Sequence, residues 1–347
     1  MTDSPTLETS DPAHLVKDPR VSVLMITYNH AAFLAEAIEG VVGQKCDFPF
    51  ELIIGEDASN DATRQIALEY QKRYPEIIRV VYSERNVGMN RNSMRIFHRA
   101  RGEYVSYCEG DDFWCAQDKL ARQVALMESD PDCVIVHSDW TRAMPKDGTW
   151  KYDIDASIHR RTNPKYLSGD LSKFWYYPKT LRTCTILLRR EAMRQWYDSG
   201  LMGMDYRFGD AVLSSWITRK GRAAYLPMVT AVYRVSPNSA LRSGAKSRVA
   251  FYLSALEFDT AARKFFADTD GYPSGYRWEA AMGLLLWGMR ARDAQAAKLA
   301  WRDLRAHFSL GSFVATGLRS VAMRMPTLKR QPREAPSLLT RPGNTRK

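Results

Sequence analysis

Three carboxylates fall within four residues at Glu109-Gly110-Asp111-Asp112, directly after the short apolar run Tyr104 to Cys108. On an extended backbone Glu109 and Asp111 point the same way, and Gly110 between them lets another group approach the main chain closely. Two carboxylates about 4 Å apart repel by roughly 4 kcal/mol at an effective dielectric of about 20. A cation relieves that repulsion. Oxygen-only ligands suit a hard ion such as Mg²⁺ or Mn²⁺, and Mg²⁺ commonly keeps carboxylates, waters and the phosphates of a substrate around it. A solvated acidic turn has the same composition, so the rest of the chain decides between the two. A further acidic turn, Gly55-Glu56-Asp57-Ala58-Ser59-Asn60-Asp61, closes another apolar run, and Asp210 stands directly before the apolar stretch Ala211 to Ile217. In that place an aspartate can cap a helix.

The elements that must position these residues follow from periodicity. Val21 to Ile26 is a nearly continuous apolar strand ending in the polar Thr27-Tyr28-Asn29-His30, and Phe33, Leu34, Ala37, Ile38, Val41 and Val42 recur at helical spacing after it. Phe50 to Ile54 is the second strand, followed by a helix to about Arg73, a third strand from Ile77 to Tyr82, and a helix through Ile96, Phe97 and Ala100. Tyr104 to Cys108 is the fourth strand; helix Ala116 to Glu128 and strand Cys133 to His137 follow. Apolar strands alternating with helices predict an α/β fold, a mostly parallel sheet with helices on both faces. Such sheets bind ligands beyond the C-terminal ends of their strands, which gathers Thr27 to Asn29, Glu56-Asp57 and Glu109 to Asp112 along one rim. Neither G-x-G-x-x-G nor G-x-x-x-x-G-K-[ST] occurs, so neither a dinucleotide fingerprint nor a P-loop explains that rim.

Residues 141 to 180 show weak periodicity and read as a long, partly ordered connection. Leu181 to Leu188 is strand-like and precedes a helix from Glu191 to Tyr197; strands Ala223 to Leu226 and Val229 to Arg234 close this half. Beyond Pro237 the pattern is helical: Val249 to Phe266, Trp278 to Met289, Ala294 to Leu304 and Ser312 to Met325. The last of these carries Arg319 and Arg324 opposite an apolar side, as an interfacial helix does.

The chain of 347 residues has 45% hydrophobic and 26% charged residues, enough for at least one large core. Its net charge of +11 is unevenly spread, because from Arg319 to Lys347 eight basic residues face Glu334 alone. That tail suits an anionic surface, and without stacking aromatics nearby it does not suggest nucleic acid. The cysteines (Cys46, Cys108, Cys115, Cys133 and Cys184) are odd in number and lack C-x-x-C spacing, as reduced core thiols do. His30, His98, His137, His159 and His307 are scattered without ligand spacing and read as structural. No signal-peptide pattern and no run of 18 apolar residues is present, so a cytoplasmic protein is expected, peripheral at the inner membrane face if the tail docks there.

Four of these segments, Val21 to Asn29, Ile54 to Asp61, Asn86-Val87-Gly88 with Arg91-Asn92, and Glu109 to Asp112, resemble family 2 glycosyltransferases, in order and over about residues 20 to 240. The resemblance implies the nucleotide-sugar-binding GT-A fold and an inverting transfer from a nucleotide diphosphate sugar, most often a UDP-sugar, with a divalent cation (Mn²⁺ or Mg²⁺). It implies that Thr27, Tyr28 and Asn29 form the first nucleotide-contacting turn and that Asp57, with Glu56 beside it, accepts from the base. Arg91 would lie near the nucleotide, Glu109 and Asp111 would bind the nucleotide sugar as a D-x-D motif with Glu in first place, and Asp111 or Asp112 would hold the metal. Asp210 resembles the general base. Tyr233-Arg234-Val235-Ser236 resembles a later motif that often ends in His, where this chain has Ser236.

The resulting division is a disordered leader at 1–20, a GT-A domain at 21–240 with a nucleotide-sugar half (21–140) and an acceptor half (141–240), a helical region at 241–325 and a basic disordered tail at 326–347. The expected partners are a nucleotide-sugar donor, a glycan or lipid-linked acceptor, and an anionic membrane touched peripherally. Two alternatives share parts of the pattern. A sugar-phosphate nucleotidyltransferase needs a Gly-rich basic loop after the first strand, which Thr27-Tyr28-Asn29-His30 is not; a non-catalytic protein docked by its basic tail would not need Asp210.

Overall fold

The computed structural model describes residues 5–153, 167–172, 181–200, 206–235, 244–267, 274–307, 310, 311 and 314. The first surprise is at the N-terminus, which was expected to be disordered up to residue 20. Leu7–Thr9 (β1) instead pairs antiparallel with Ile78–Tyr82 (β4) at the edge of the sheet. Glu8 is the reason: its carboxylate accepts from Arg79 Nε at 2.9 Å and from Arg99 Nε at 3.0 Å, so a polar segment is held by charge rather than by an apolar face. Glu8→Ala should lower the unfolding free energy by about 1 kcal/mol, seen as a lower urea midpoint at unchanged slope.

Val21–Thr27 (β2), Phe50–Glu56 (β3), β4 and Tyr104–Tyr107 (β5) are mutually parallel, in the order β4-β3-β2-β5. Alternate side chains of these strands enter two separate cores. Val23, Met25, Leu52 and Ile54 meet helices Leu34–Val42 (α1), Thr63–Arg73 (α2) and, after Phe113–Trp114 (β6), Lys119–Glu128 (α4). Leu24, Ile53, Val81 and Val105 face the other way, onto Met89–Phe97 (α3) and the later helices. Burial on both faces is what makes these strands continuously apolar.

The second half departs from simple alternation. The strand expected to end at His137 continues to Lys146 (β7, Cys133–Lys146) and turns back as Thr149–Asp153 (β8). The stretch read as a loose connection therefore begins as a hairpin, and its turn is Asp147-Gly148, both at positive φ (50° and 75°). Asp-Gly is a strong two-residue hairpin signal. The strand expected at 181–188 is mostly a single 3-10 turn (Thr183–Thr185), followed by the short Leu187–Arg189 (β9), which lies antiparallel between β5 and β7. The two strands expected after residue 222 are one, Arg222–Arg234 (β10), with a register shift between Leu226 and Val229 that accommodates Pro227. β10 runs parallel to β7 and antiparallel to β6. Helices Arg190–Asp198 (α5) and Asp210–Ile217 (α6) cover this part. Ala245–Phe266 (α7), Ser274–Ala291 (α8) and Ala294–Ala306 (α9) complete it, near the expected bounds; apart from residue 314, which is helical, the helix expected at 312–325 lies outside the described residues, as do Ser236 and the tail.

Candidate active site

Parallel β2, β3 and β5 end side by side, so Thr27, Glu56 and Tyr107 bring three loops to one rim. The first two loops are laced together. Asn29, at φ 56°, donates its backbone N–H to Ser59 Oγ (3.0 Å) and accepts from the Asn60 N–H at Oδ1 (2.9 Å), while His30 and Ala31 N–H donate to Thr63 Oγ1 (2.8 Å) and Asp61 Oδ2 (3.1 Å). Asn is among the few residues that take this left-handed backbone at low cost. Tyr28 projects from this loop, 41% exposed.

Glu56 and Asp57 are buried, and their oxygens are occupied within the chain. Glu56 accepts from the Ser59 N–H and from Arg64 Nε, both at 2.6 Å, so it braces the turn instead of facing a ligand. Asp57 accepts from the N–H groups of Val87 (2.8 Å) and Gly88 (2.9 Å), tying the Asn86-Val87-Gly88 segment to the rim. Each of its oxygens retains the capacity to accept one further hydrogen bond. Arg91 is exposed in the first turn of α3.

The third loop carries the carboxylates. A Cβ on Gly110 would sit 2.6 Å from Thr27 Oγ1 and 3.0 Å from His30 Nδ1, which are both buried without a hydrogen-bond partner among the described residues. The acidic turn is therefore pressed against two polar atoms that await a partner. Gly110→Ala should displace the β2 loop and lower stability by about 1–3 kcal/mol, read by urea unfolding.

Asp112 is buried and accepts the Arg234 N–H at 2.9 Å; burial first, then the charges of Asp111 and Glu109, push its carboxyl well above the usual range. Glu109 accepts from Thr183 Oγ1 through Oε1, and its Oε2 is buried without a partner among the described residues. Its carboxyl rises to about 7, chiefly through burial and further through the charges of Asp111 and Asp210, against the lowering effect of Thr183. That influence of Asp210 brings the N-terminus of α6 to the same cluster. Asp111 lies 4.0 Å from His30 Nε2. Burial lowers the His30 pKa, against the opposing pull of Asp111 and Asp61, which favours a neutral imidazole. His30, read as structural from the sequence, thus belongs to the site.

Glu109, Asp112 and Cys184 have ligand atoms within 4.8 Å of one another. Burial holds the Cys184 thiol well above its ordinary pKa, so a hard cation would take the carboxylates and not this sulfur. Asp111, expected as a ligand, lies outside that trio but on the same turn.

Asp210 begins α6 and accepts from the Ala211 N–H at 2.9 Å; the preceding Gly209 occupies the cap position. Its carboxyl is pushed up to about 6 by burial, partly offset by the guanidinium of Arg182. Arg182 was not singled out from the sequence, and Arg234 only as a member of the Tyr233-Arg234-Val235-Ser236 motif. Arg182 stands 5.0 Å from the ring centre of Trp140 and 4.8 Å from that of Tyr233, and its Nε is buried without a partner among the described residues. Arg234 is buried, donates through Nη1 to the Asp111 carbonyl (3.0 Å) and through Nη2 to Glu36, and lies 4.5 Å from the Phe113 ring centre. Four carboxylates, two arginines and a neutral imidazole converge beyond the strand ends, an arrangement able to hold a cation, take up an anionic group and accept a proton.

The sheet with its flanking helices has the GT-A fold of nucleotide-sugar enzymes. The mannosyltransferase PcManGT from Pyrobaculum calidifontis, solved with GDP-Man and Mn²⁺, superposes with a TM-score of 0.53 at 19% identity, over 88% of this chain and 86% of its own. Staphylococcus aureus TarS 1–349, solved with UDP-GlcNAc, gives a TM-score of 0.50 at 16% identity, over 83% of this chain and 92% of its own. The chain belongs to glycosyl transferase family 2, whose profile matches residues 22–196. The uncharacterized protein Rv1520 of Mycobacterium tuberculosis is 29% identical over 283 residues, 81% of this chain and 73% of its own. TuaG of Bacillus subtilis, whose name places it in teichuronic acid biosynthesis, is 31% identical over 225 residues, 64% of this chain and 81% of its own.

Proposed function

We propose that the protein is an inverting glycosyltransferase that moves a hexosyl or N-acetylhexosaminyl group from a nucleotide diphosphate sugar, in the first instance a UDP-sugar, to an acceptor hydroxyl. The observation that carries this reading is that Asp210, at the start of α6, lies near enough for its charge to act on Glu109 of the Glu109-Gly110-Asp111-Asp112 turn, one group set to take a proton and the others to hold the diphosphate end. In this reading Thr27, Tyr28, Asn29, Asp57 and Arg91 line the nucleotide. Glu109, Asp111 and Asp112 would hold a divalent cation, Mn²⁺ or Mg²⁺, which when bound neutralises charge on the diphosphate. Asp210 takes the proton of the acceptor hydroxyl as that oxygen attacks the anomeric carbon from the face opposite the leaving nucleotide, so configuration inverts. Neutral His30 keeps a polar contact beside Asp111 without adding a second positive charge to the metal site.

The names of the similar proteins support an acceptor in bacterial surface polysaccharide or glycolipid synthesis. In this reading the enzyme works at the cytoplasmic side of the inner membrane, and the basic residues from Arg319 onward suit contact with anionic lipid. No helix among the described residues is long and apolar enough to cross a membrane.

The test is calorimetric titration of UDP, GDP and TDP, with and without Mn²⁺, into wild type and Asp111→Ala. One nucleotide should bind with metal, and the substitution should weaken it by about 10- to 100-fold. Absence of binding by every nucleotide under every condition would leave the acidic turn without its role and favour a non-catalytic binding protein.

A further inference from the structure

Outside the site, the surface of the C-terminal helices combines two features. On α8, Met282, Leu286 and Met289 recur at i, i+4 and i+7 and are 40%, 46% and 59% exposed, an apolar stripe on the solvent side of the helix. On α9, Trp301 is 57% exposed and Leu299 37%. A Cβ on Gly288 would come within 3.0 Å of the Ala297 backbone, so the two helices pack closely and their outer faces adjoin. The charges there have one sign. From Trp278 to His307 the exposed charged side chains are Arg290, Arg292, Lys298, Arg302 and Arg305, while Glu279, Asp293 and Asp303 are partly buried. Asp293 is used in capping α9 through the Ala296 N–H (2.9 Å), and Asp303 in a fork with Arg277. Trp287 is flanked by the guanidinium groups of Arg248 (5.3 Å) and Arg290 (5.1 Å).

We propose that the outer face of α8 and α9 docks on an anionic phospholipid surface. The stripe inserts among the acyl-chain ends, tryptophans sit at headgroup depth, and the basic side chains lie over lipid phosphates. Charge selects this occupant over a second copy of the chain: a two-fold interface would set basic residues against the same residues of the partner. The chain also continues beyond α9 into the segment where eight basic residues face one acid, so attraction to an anionic surface extends past the described helices. The proposal rests on, and deepens, the membrane contact proposed above for the tail.

The experiment is co-sedimentation of the full chain with vesicles of phosphatidylglycerol and phosphatidylcholine, against phosphatidylcholine alone. Wild type should pellet with the anionic vesicles only and release as salt rises. Arg290→Gln/Lys298→Gln/Arg302→Gln should weaken binding by about fivefold per charge removed. Met282→Ser/Leu286→Ser/Met289→Ser should weaken it by about tenfold at constant charge. Nucleotide titration and circular dichroism of the same preparations separate a folding defect, or failure of the transferase reading, from failure of docking. If both variants bind like wild type while Lys329→Gln/Arg330→Gln/Arg333→Gln abolishes binding, the tail alone is the contact and the proposal is wrong. Equally, a wild-type dimer in equilibrium sedimentation that the Met282/Leu286/Met289 variant converts to monomer would assign the stripe to a second copy. Binding to polyglutamate as strong as to vesicles, with the serine variant unaffected, would assign the face to an acidic protein.

Discussion

Asp210→Asn should lower kcat by about 10³-fold while leaving nucleotide affinity and the folded state unchanged. The asparagine is nearly isosteric and can still accept from the Ala211 N–H, so α6 keeps its start, but it cannot take the acceptor proton. The wild-type pH profile should carry the same signature. Asp210 acts as base only when ionised, and its carboxyl is pushed up to about 6 by burial. Activity should therefore rise with pH through about 6, level off above it, and fall about tenfold per unit below. Since the Arg182 guanidinium pulls this pKa down, Arg182→Gln should move the acidic limb to higher pH. An aspartate that merely starts a helix predicts otherwise: near the N-terminus it is worth about 0.3–1 kcal/mol of stability and nothing in kcat. An acidic limb that survives in Asp210→Asn would remove Asp210 from the mechanism.

Arg234→Ala should cost about 2–3 kcal/mol of stability. The buried guanidinium at the end of β10 joins Glu36 of α1 to the Asp111 carbonyl and covers Phe113, and its loss leaves the acidic turn without its nearest buried cation. Arg234→Lys retains the charge but cannot span the same partners and should recover only part of the loss. Urea unfolding without divalent ions gives the full deficit. Repeating it with Mn²⁺ should recover some, because ligand bound to the native state adds RT ln(1 + [L]/Kd). An unfolding midpoint equal to that of wild type would show that the turn is stable without this clamp.

Much of the fold was legible in the sequence for a simple physical reason. Strands buried on both faces are apolar throughout, and the helices between them have one apolar side, so β2 to β5 and α1 to α4 can be read from spacing alone. The later strands were harder. β9 is three residues long, β10 is interrupted by Pro227 and a register shift, and β1 is held by a salt bridge that has no local signature. One missed element had a readable signal, the Asp147-Gly148 turn that joins β7 to β8.

The acidic turn, the polar loop after β2 and Asp210 are visible in the sequence because carboxylates and glycines concentrated where apolar strands stop are themselves a local pattern. Tertiary structure alone decided what surrounds them. It set His30 against Asp111, Thr183 on Glu109, Arg182 between Trp140 and Tyr233, and Arg234 under the acidic turn, and it turned Glu56 inward onto Arg64. Most of these partners are separated by tens to more than a hundred positions, and none has a spacing that announces it. Their roles come from burial and the low effective dielectric it creates, in which a neighbour's charge sets whether each group holds its proton; burial exists only once the sheet has brought the strand ends together.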